Sequence, residues 1–305
     1  MAKKPCTKKC ACKTAKKPAS KAYGYFDDAN KEYVLTSPAT PIKWCNYVGT
    51  LNFGGIVDTT GGTLVCKGDP ALNRITKYIA QMPNSDFKAS TVYIRVKDGK
   101  GYKVFSPFVT PTLTKMDKWE CHVGLSYSRW IAEVYGLRVQ VTIFVPTGSN
   151  TLLQDIQVTN IAGASKEVDI IPVYEFSHFE AEKQLTNADW VPQTMTLKAH
   201  KEKDGHLVLE QYAYMKRDFA VNYVTADCKV SSFDGDRRVF LGQNEMGSWA
   251  NPLSLQNKEL SNSECDRGDN IAALMIHAGK LAAKKSFRTR TQLGQEQSLK
   301  VAAKA

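Results

Sequence analysis

Arg138–Val145 reads RVQVTIFV, and its apolar residues Val139, Val141, Ile143 and Val145 fall on every second position. That period of two is the signature of a strand with one face in a core and the other in water. The pattern recurs in both directions along the chain. Downstream, Leu152–Asn160 puts Leu152, Ile156 and Val158 on one face and Asp155, Gln157 and Thr159 on the other. Upstream, Val92, Ile94 and Val96 alternate with Tyr93 and Arg95, and Leu207–Tyr214, Val221–Thr225 and Phe287–Leu293 behave in the same way. Asp98-Gly99, Pro146-Thr147-Gly148, Asp204-Gly205 and Asp234-Gly235 punctuate these runs as turns. Long amphipathic helices are missing. Many short strands with turn punctuation predict an all-β protein, a large antiparallel β-sandwich or barrel rather than βαβ units. Ala71–Gln81 fits a helix face through Leu72, Ile75 and Ile79, or a strand. Gln295–Ala305 (QEQSLKVAAKA) is made of good helix formers and predicts the start of a linker helix.

The chain has 305 residues, 43% of them hydrophobic, which is enough to bury one substantial core. Its net charge of +11 is unevenly placed: residues 1–21 carry eight Lys and no acid, leaving 33 basic against 30 acidic residues in the body. The basicity is therefore a property of a solvated, disordered Lys/Cys-rich tail (residues 1–22), and no nucleic-acid partner is expected for the folded part. Three of the eight Cys (Cys6, Cys10, Cys12) lie in that tail. Their C-x-x-x-C-x-C spacing lacks the fourth ligand of a closed zinc site, so no metal is expected. The other five are scattered singly, as idle thiols in a reducing compartment would be. No apolar run approaches the roughly 20 residues of a membrane span. No apolar segment follows the N-terminal charges, so no secretory leader is read and a cytoplasmic location is expected.

No P-loop, G-x-G-x-x-G, H-E-x-x-H or G-x-S-x-G motif is present. The five His are widely spaced, and no pair of carboxylates identifies itself in a linear sequence as flanking a scissile bond. One segment differs from its surroundings. Glu175–Thr194 (EFSHFEAEKQLTNADWVPQT) follows the strand-like Val168–Tyr174 and mixes Phe176, Phe179 and Trp190 with Asn187, Asp189 and Gln193. Flat rings stack on sugar faces and amides or carboxylates bind hydroxyls, the mixture that ligand sites use. The same aromatics could instead cover the end of a sheet.

A series of motifs then gives a resemblance. Tyr23–Tyr33 (YGYFDDANKEY) with Val34-Leu35-Thr36 is followed in order by Pro41–Gly49 (PIKWCNYVG), Thr60-Gly61-Gly62 and Asn73–Tyr78 (NRITKY). Glu120–Tyr127 (ECHVGLSY), Thr142–Pro146 (TIFVP), Asp236–Gly242 (DRRVFLG), Asn251-Pro252-Leu253 and Gln292-Leu293-Gly294 continue it. From Tyr23 to Gln297 the chain resembles the opening of family 94 glycoside phosphorylases, formerly glycosyltransferase family 36, which act on cellobiose, cellodextrins, laminaribiose and chitobiose. The resemblance implies a sandwich (residues 23–294), then linker helices (from residue 295) and an (α/α)6 barrel that carries the proton donor and the phosphate cradle. It therefore places no catalytic residue in this chain and implies no cofactor, phosphate being a co-substrate. Family members are homodimers, and a sandwich loop reaches toward the partner's site. Asn187, Asp189, Trp190 and Gln193 resemble that loop and would border the acceptor sugar. Three readings follow. The chain is the non-catalytic sandwich of an inverting β-glucoside phosphorylase, a freestanding carbohydrate-binding protein, or one subunit of a split enzyme whose barrel is a separate partner.

Overall fold

The structure is a computed structural model and describes residues 22–78, 88–187, 189–214, 220–243 and 246–297. The 1–21 part of the tail therefore lies outside the described residues. With strands numbered in chain order, the larger sheet has ten in the order β1 (Gly24–Asp27), β2 (Glu32–Leu35), β8 (Lys118–Gly124), β9 (Tyr127–Val134), β10 (Leu137–Phe144), β11 (Thr151–Asn160), β18 (Ser286–Glu296), β15 (Val221–Ala226), β14 (Leu207–Ala213) and β13 (Met195–Lys201). The smaller sheet runs β16 (Ser232–Asp236), β17 (Asn270–Leu281), β12 (Lys166–Glu175), β6 (Ser90–Asp98) and β7 (Gly101–Phe105). A third sheet of β3 (Cys45–Gly49), β4 (Gly54–Asp58) and β5 (Thr63–Cys66) flanks them. All pairings between these strands are antiparallel.

The alternation in the sequence becomes the core. Val139, Val141, Ile143, Leu152, Ile156 and Val158 of the large sheet are fully buried against Val92, Ile94, Ile170, Leu274 and Ile276 of the smaller one. β12 and β17 are apolar on both faces because their outer face is also covered. Tyr93, Ile171, Val173, Ala273 and Met275 pack beneath Phe240 of α2 (Arg237–Leu241) and Leu255 and Leu260 of the following segment. That segment is held by Arg95, whose guanidinium pairs with Asp169 at 2.8 Å and donates to the carbonyls of Leu255, Asn257 and Lys258. Among the described residues no helix is long and apolar enough to cross a membrane.

Three sequence expectations change. Asp234-Gly235 is not a turn but part of β16, at a register shift against β17, where a Cβ on Gly235 would stand 2.4 Å from the Leu197 side chain. Ala71–Gln81 is neither regular helix nor strand through Tyr78; it makes single bridges, Arg74 to Cys66 and Thr76 to Phe176, and its last three residues lie outside the described residues. The helix expected from Gln295 does not start there, since Gln295 and Glu296 end β18, paired with Asn222 and Val221. Propensity loses because the Gln295 side chain is buried and hydrogen-bonded to Asn73 and Asn222. Residues 298–305 lie outside the described residues.

Two glycines in the quoted motifs make room for aromatic rings. A Cβ on Gly124 would lie 2.2 Å from the Tyr127 ring. With that space free, the Tyr127 hydroxyl donates to Glu32 at 2.5 Å, alongside Arg129 at 2.7 Å and His122 at 2.8 Å. Glu120–Tyr127 is thus the wall of a carboxylate cage. Burial would raise the Glu32 pKa, but the bonds from Tyr127 and His122 and the Arg129 charge hold it below the usual range. In β18, a Cβ on Gly294 would lie 2.6 Å from the Tyr223 ring, whose hydroxyl accepts from the Gln292 amide at 3.2 Å. Gly294→Ala should therefore cost about 1–3 kcal/mol through overpacking. Gly101→Ala, where the new carbon meets nothing within 4 Å, should stay within about 0.5 kcal/mol in urea unfolding.

Candidate functional site

The segment from Glu175 to Thr194 leaves the end of β12 and returns to the edge of the large sheet as β13. Its first part is bound like a strand. Residues 74–78 run beside it, with Lys77 N–H donating to the Glu175 carbonyl at 3.0 Å, Ser177 to Ile75 at 2.9 Å and Arg74 to Phe179 at 3.0 Å. Phe176 and Phe179, only 3% exposed, are inward packing residues, Phe179 lying with Met195, Ala213 and Ala220. For these two aromatics the sheet-covering reading holds.

At the root sit four charges from four parts of the chain. Lys77 Nζ lies 2.8 Å from Asp269 and 3.4 Å from Glu175; Arg237 lies 3.0 Å from Glu175 and also pairs with Asp269. Two cations and two carboxylates close a neutral ring, which lets each be largely withdrawn from water. Burial works to raise the Asp269 pKa, but Lys77 and Arg237 hold it below the usual carboxylate range. Burial likewise works to lower that of Lys77, and Glu175 and Asp269 lift it above its ordinary value. Arg237 stands in Asp236–Gly242, where Asp236 caps α2 by accepting from the Arg238 N–H at 2.8 Å. Lys77 stands in Asn73–Tyr78. Two of the quoted motifs therefore meet at the base of this loop.

Buried amides form a second support. Gln211 Nε2 donates to the Ser177 carbonyl at 3.2 Å, Asn222 Nδ2 to Gln211 at 2.7 Å, and Gln295 Nε2 to Asn222 at 2.8 Å and to Asn73 at 2.7 Å. Gln211, Asn222 and Gln295 are buried, so each bond replaces one to water that folding removes.

Beyond this root the segment turns outward. Ala181–Thr186 forms the short helix α1, held back on Ser177 by a 2.6 Å bond to Gln184, and Val191–Thr194 makes one 3-10 turn. The four residues read from the sequence lie on the outward part. The backbone brings Asn187, Trp190 and Gln193 onto successive turns: the Trp190 N–H donates to the Asn187 carbonyl at 3.3 Å and the Gln193 N–H to the Trp190 carbonyl at 2.9 Å. Trp190 is 44% exposed with Lys183 Nζ 6.0 Å from its ring centre; Asp189 and Gln193 are exposed. Asn187 differs, because its amide nitrogen is spent locally on the Lys183 carbonyl and the Thr186 hydroxyl. The arrangement offers a ring face and polar groups around it, while the nearby carboxylates Glu175 and Asp269 are tied to cations. Lys77, Arg237, Asp269 and the amide chain were not singled out in the sequence. Their partners lie far along the chain, 98 residues for Lys77 and Glu175 and 192 for Lys77 and Asp269, and no spacing rule reaches that far.

Among the described residues no group of three or more His, Cys, Asp or Glu could hold a metal ion. The five described Cys are free thiols, and burial pushes Cys265 up to about 11, which keeps it protonated and inert.

Replacing Lys77 by Met should destabilise the chain by about 3 kcal/mol, because it leaves two mostly buried carboxylates to share the single cation Arg237. The depressed Asp269 pKa adds stability that is complete above the ordinary carboxylate pKa of about 4 and is lost as pH falls through its lower folded value. Asp269→Asn should thus lower stability at neutral pH and flatten the loss below about pH 4, as followed by urea unfolding across pH.

The sequence profile of the glycosyl hydrolase 94 supersandwich domain matches residues 31–305. N,N'-diacetylchitobiose phosphorylase of Vibrio furnissii is 30% identical over 245 residues, 79% of this chain and 29% of that protein. The 3-O-beta-D-glucopyranosyl-beta-D-glucuronide phosphorylase of Paenibacillus borealis is 22% identical over 265 residues, 84% of this chain and 31% of its own. The chain spans less than a third of the length of these curated relatives. With its two main antiparallel sheets and matching profile, this chain belongs to glycosyl hydrolase family 94 and carries that family's supersandwich domain.

Proposed function

We propose that this chain is the non-catalytic sandwich part of an inverting β-glucoside phosphorylase. The whole enzyme would convert a β-linked disaccharide or oligosaccharide and phosphate into a sugar 1-phosphate and a shortened acceptor. In such a reaction phosphate attacks the anomeric carbon while one carboxylic acid protonates the leaving oxygen. A barrel, on the same longer chain or on a separate subunit, would supply that acid and the phosphate cradle. Within a cytoplasmic homodimer the sandwich would give the loop around Trp190 to the acceptor side of its partner's site, with Asn187, Asp189 and Gln193 meeting hydroxyls.

The observation that carries this reading is the contrast inside one loop. Its root is closed by four paired charges and a run of buried amides, while its tip presents a half-exposed indole that packs into no core cluster. An exposed Trp on a rigid base offers a stacking surface with little ordering cost on binding. The relatives support the reaction class, since those matched over most of this chain are phosphorylases.

Incubated with phosphate and cellobiose, laminaribiose or N,N'-diacetylchitobiose, the purified chain should release no sugar 1-phosphate above a blank. Turnover by the chain alone, followed by phosphorus NMR, would overturn the proposal.

A further inference from the structure

The outer face of the large sheet carries a feature that the loop does not explain. A cleft of about 430 Å3 crosses β11, β18, β15 and β14. Ligand sites typically enclose roughly 300–1,000 Å3. Leu153 and Tyr223 give it apolar surface, and its polar groups include Arg290, Gln292, Asp227 and His206.

Several of these groups are incompletely used by the protein. Arg290 is half exposed, and its ion pairs are long, 3.6 Å to Asp155 and 4.0 Å to Asp227. Asp155 is engaged by Arg288 instead, with Nε at 2.8 Å. Most of the five N–H donors of the Arg290 guanidinium therefore remain for a ligand. The Tyr223 hydroxyl accepts from Gln292, so its own proton is free to be donated. Asp227 Oδ1 accepts from Thr289 and from the Arg290 backbone, while Oδ2 lies 4.0 Å from the Arg290 guanidinium. His206 holds Asp204 through Nδ1 at 2.9 Å, which leaves Nε2 available.

Donors and acceptors are interleaved: the cation Arg290 and the anions Asp227 and Glu202 all line the cleft. Two carboxylates against one guanidinium disfavour an anionic ligand, and the half-exposed Arg290 disfavours a cationic one. The balance suits a neutral polyhydroxyl ligand, whose vicinal hydroxyls accept from a guanidinium and donate to a carboxylate. Four strands at roughly 4.8 Å spacing span about 14 Å, longer than one pyranose ring. The cleft lies by the turn Glu202–His206, at the far end of β13 and β14 from the loop, which joins β13 at Met195. Seven strand residues separate these ends by about 20 Å.

We propose that this cleft is a binding subsite for a neutral, extended oligosaccharide, separate from the loop at residues 187–193. It goes beyond the phosphorylase reading and stands without it.

Saturation-transfer NMR on the 305-residue chain with cellotetraose tests this. The wild type should transfer saturation to the sugar. Arg290→Ala and His206→Ala should each reduce the transfer at least fivefold, while Lys100→Ala, on an exposed turn of the smaller sheet, retains it. His206 sits half-buried in a surface turn, so its variant should fold even if the Arg290 variant does not, and thermal melting checks both. No transfer by the wild type, or transfer unchanged in both folded cleft variants, overturns the proposal.

Discussion

Four charges cannot be taken out of water singly, and this structure withdraws Lys77, Glu175, Arg237 and Asp269 together. Isolated burial of any one would cost several kcal/mol; as an alternating ring they offset one another. The consequence is geometric. Lys77 belongs to the irregular 71–78 segment, Glu175 ends β12, Arg237 opens α2 and Asp269 directly precedes β17. The ring can close only when all four are in place, so it sets the position from which the exposed loop departs.

The same logic recurs across the molecule. Glu32 is caged by His122, Tyr127 and Arg129; Asp58 accepts from the Thr60 and Gly62 N–H groups, the Thr60 hydroxyl and the Tyr78 hydroxyl. Gly62 must be small there, since a Cβ would stand 2.4 Å from the Lys88 side chain. The motifs that carry the family resemblance are thus largely the walls of buried carboxylates, and they specify how loops are seated rather than a reaction. This is why the most recognisable residues of the chain do not include a free pair of acids.

The fold was legible because a period of two runs through the middle strands of the large sheet, β9 to β11: RVQVTIFV became β10, and its three central apolar residues are fully buried. The end of β18 was not, because Gln295 has the propensity of a helix but the hydrogen-bond partners of a strand, Asn73 and Asn222, neither adjacent to it in sequence. Asp234-Gly235 misled for a related reason: the glycine answers to the close approach of Leu197, not to a turn. At the candidate site, composition separated Trp190 from the sheet only in part. It gave the same weight to Phe176 and Phe179, which are core. The charge ring was invisible because its members come from four distant parts of the chain, and such pairing leaves no local pattern.

A rigid root carries a freely presented tip. Native-state hydrogen exchange resolved along residues 71–78 and 175–194 measures this directly. Protection at Phe176 and Ser177, whose N–H groups donate to the Asn270 and Ile75 carbonyls, should be comparable to that of β12, with Asp189 and Trp190 exchanging orders of magnitude faster. Uniformly rapid exchange from Glu175 to Thr194, or protection at Trp190 equal to the core, would contradict it.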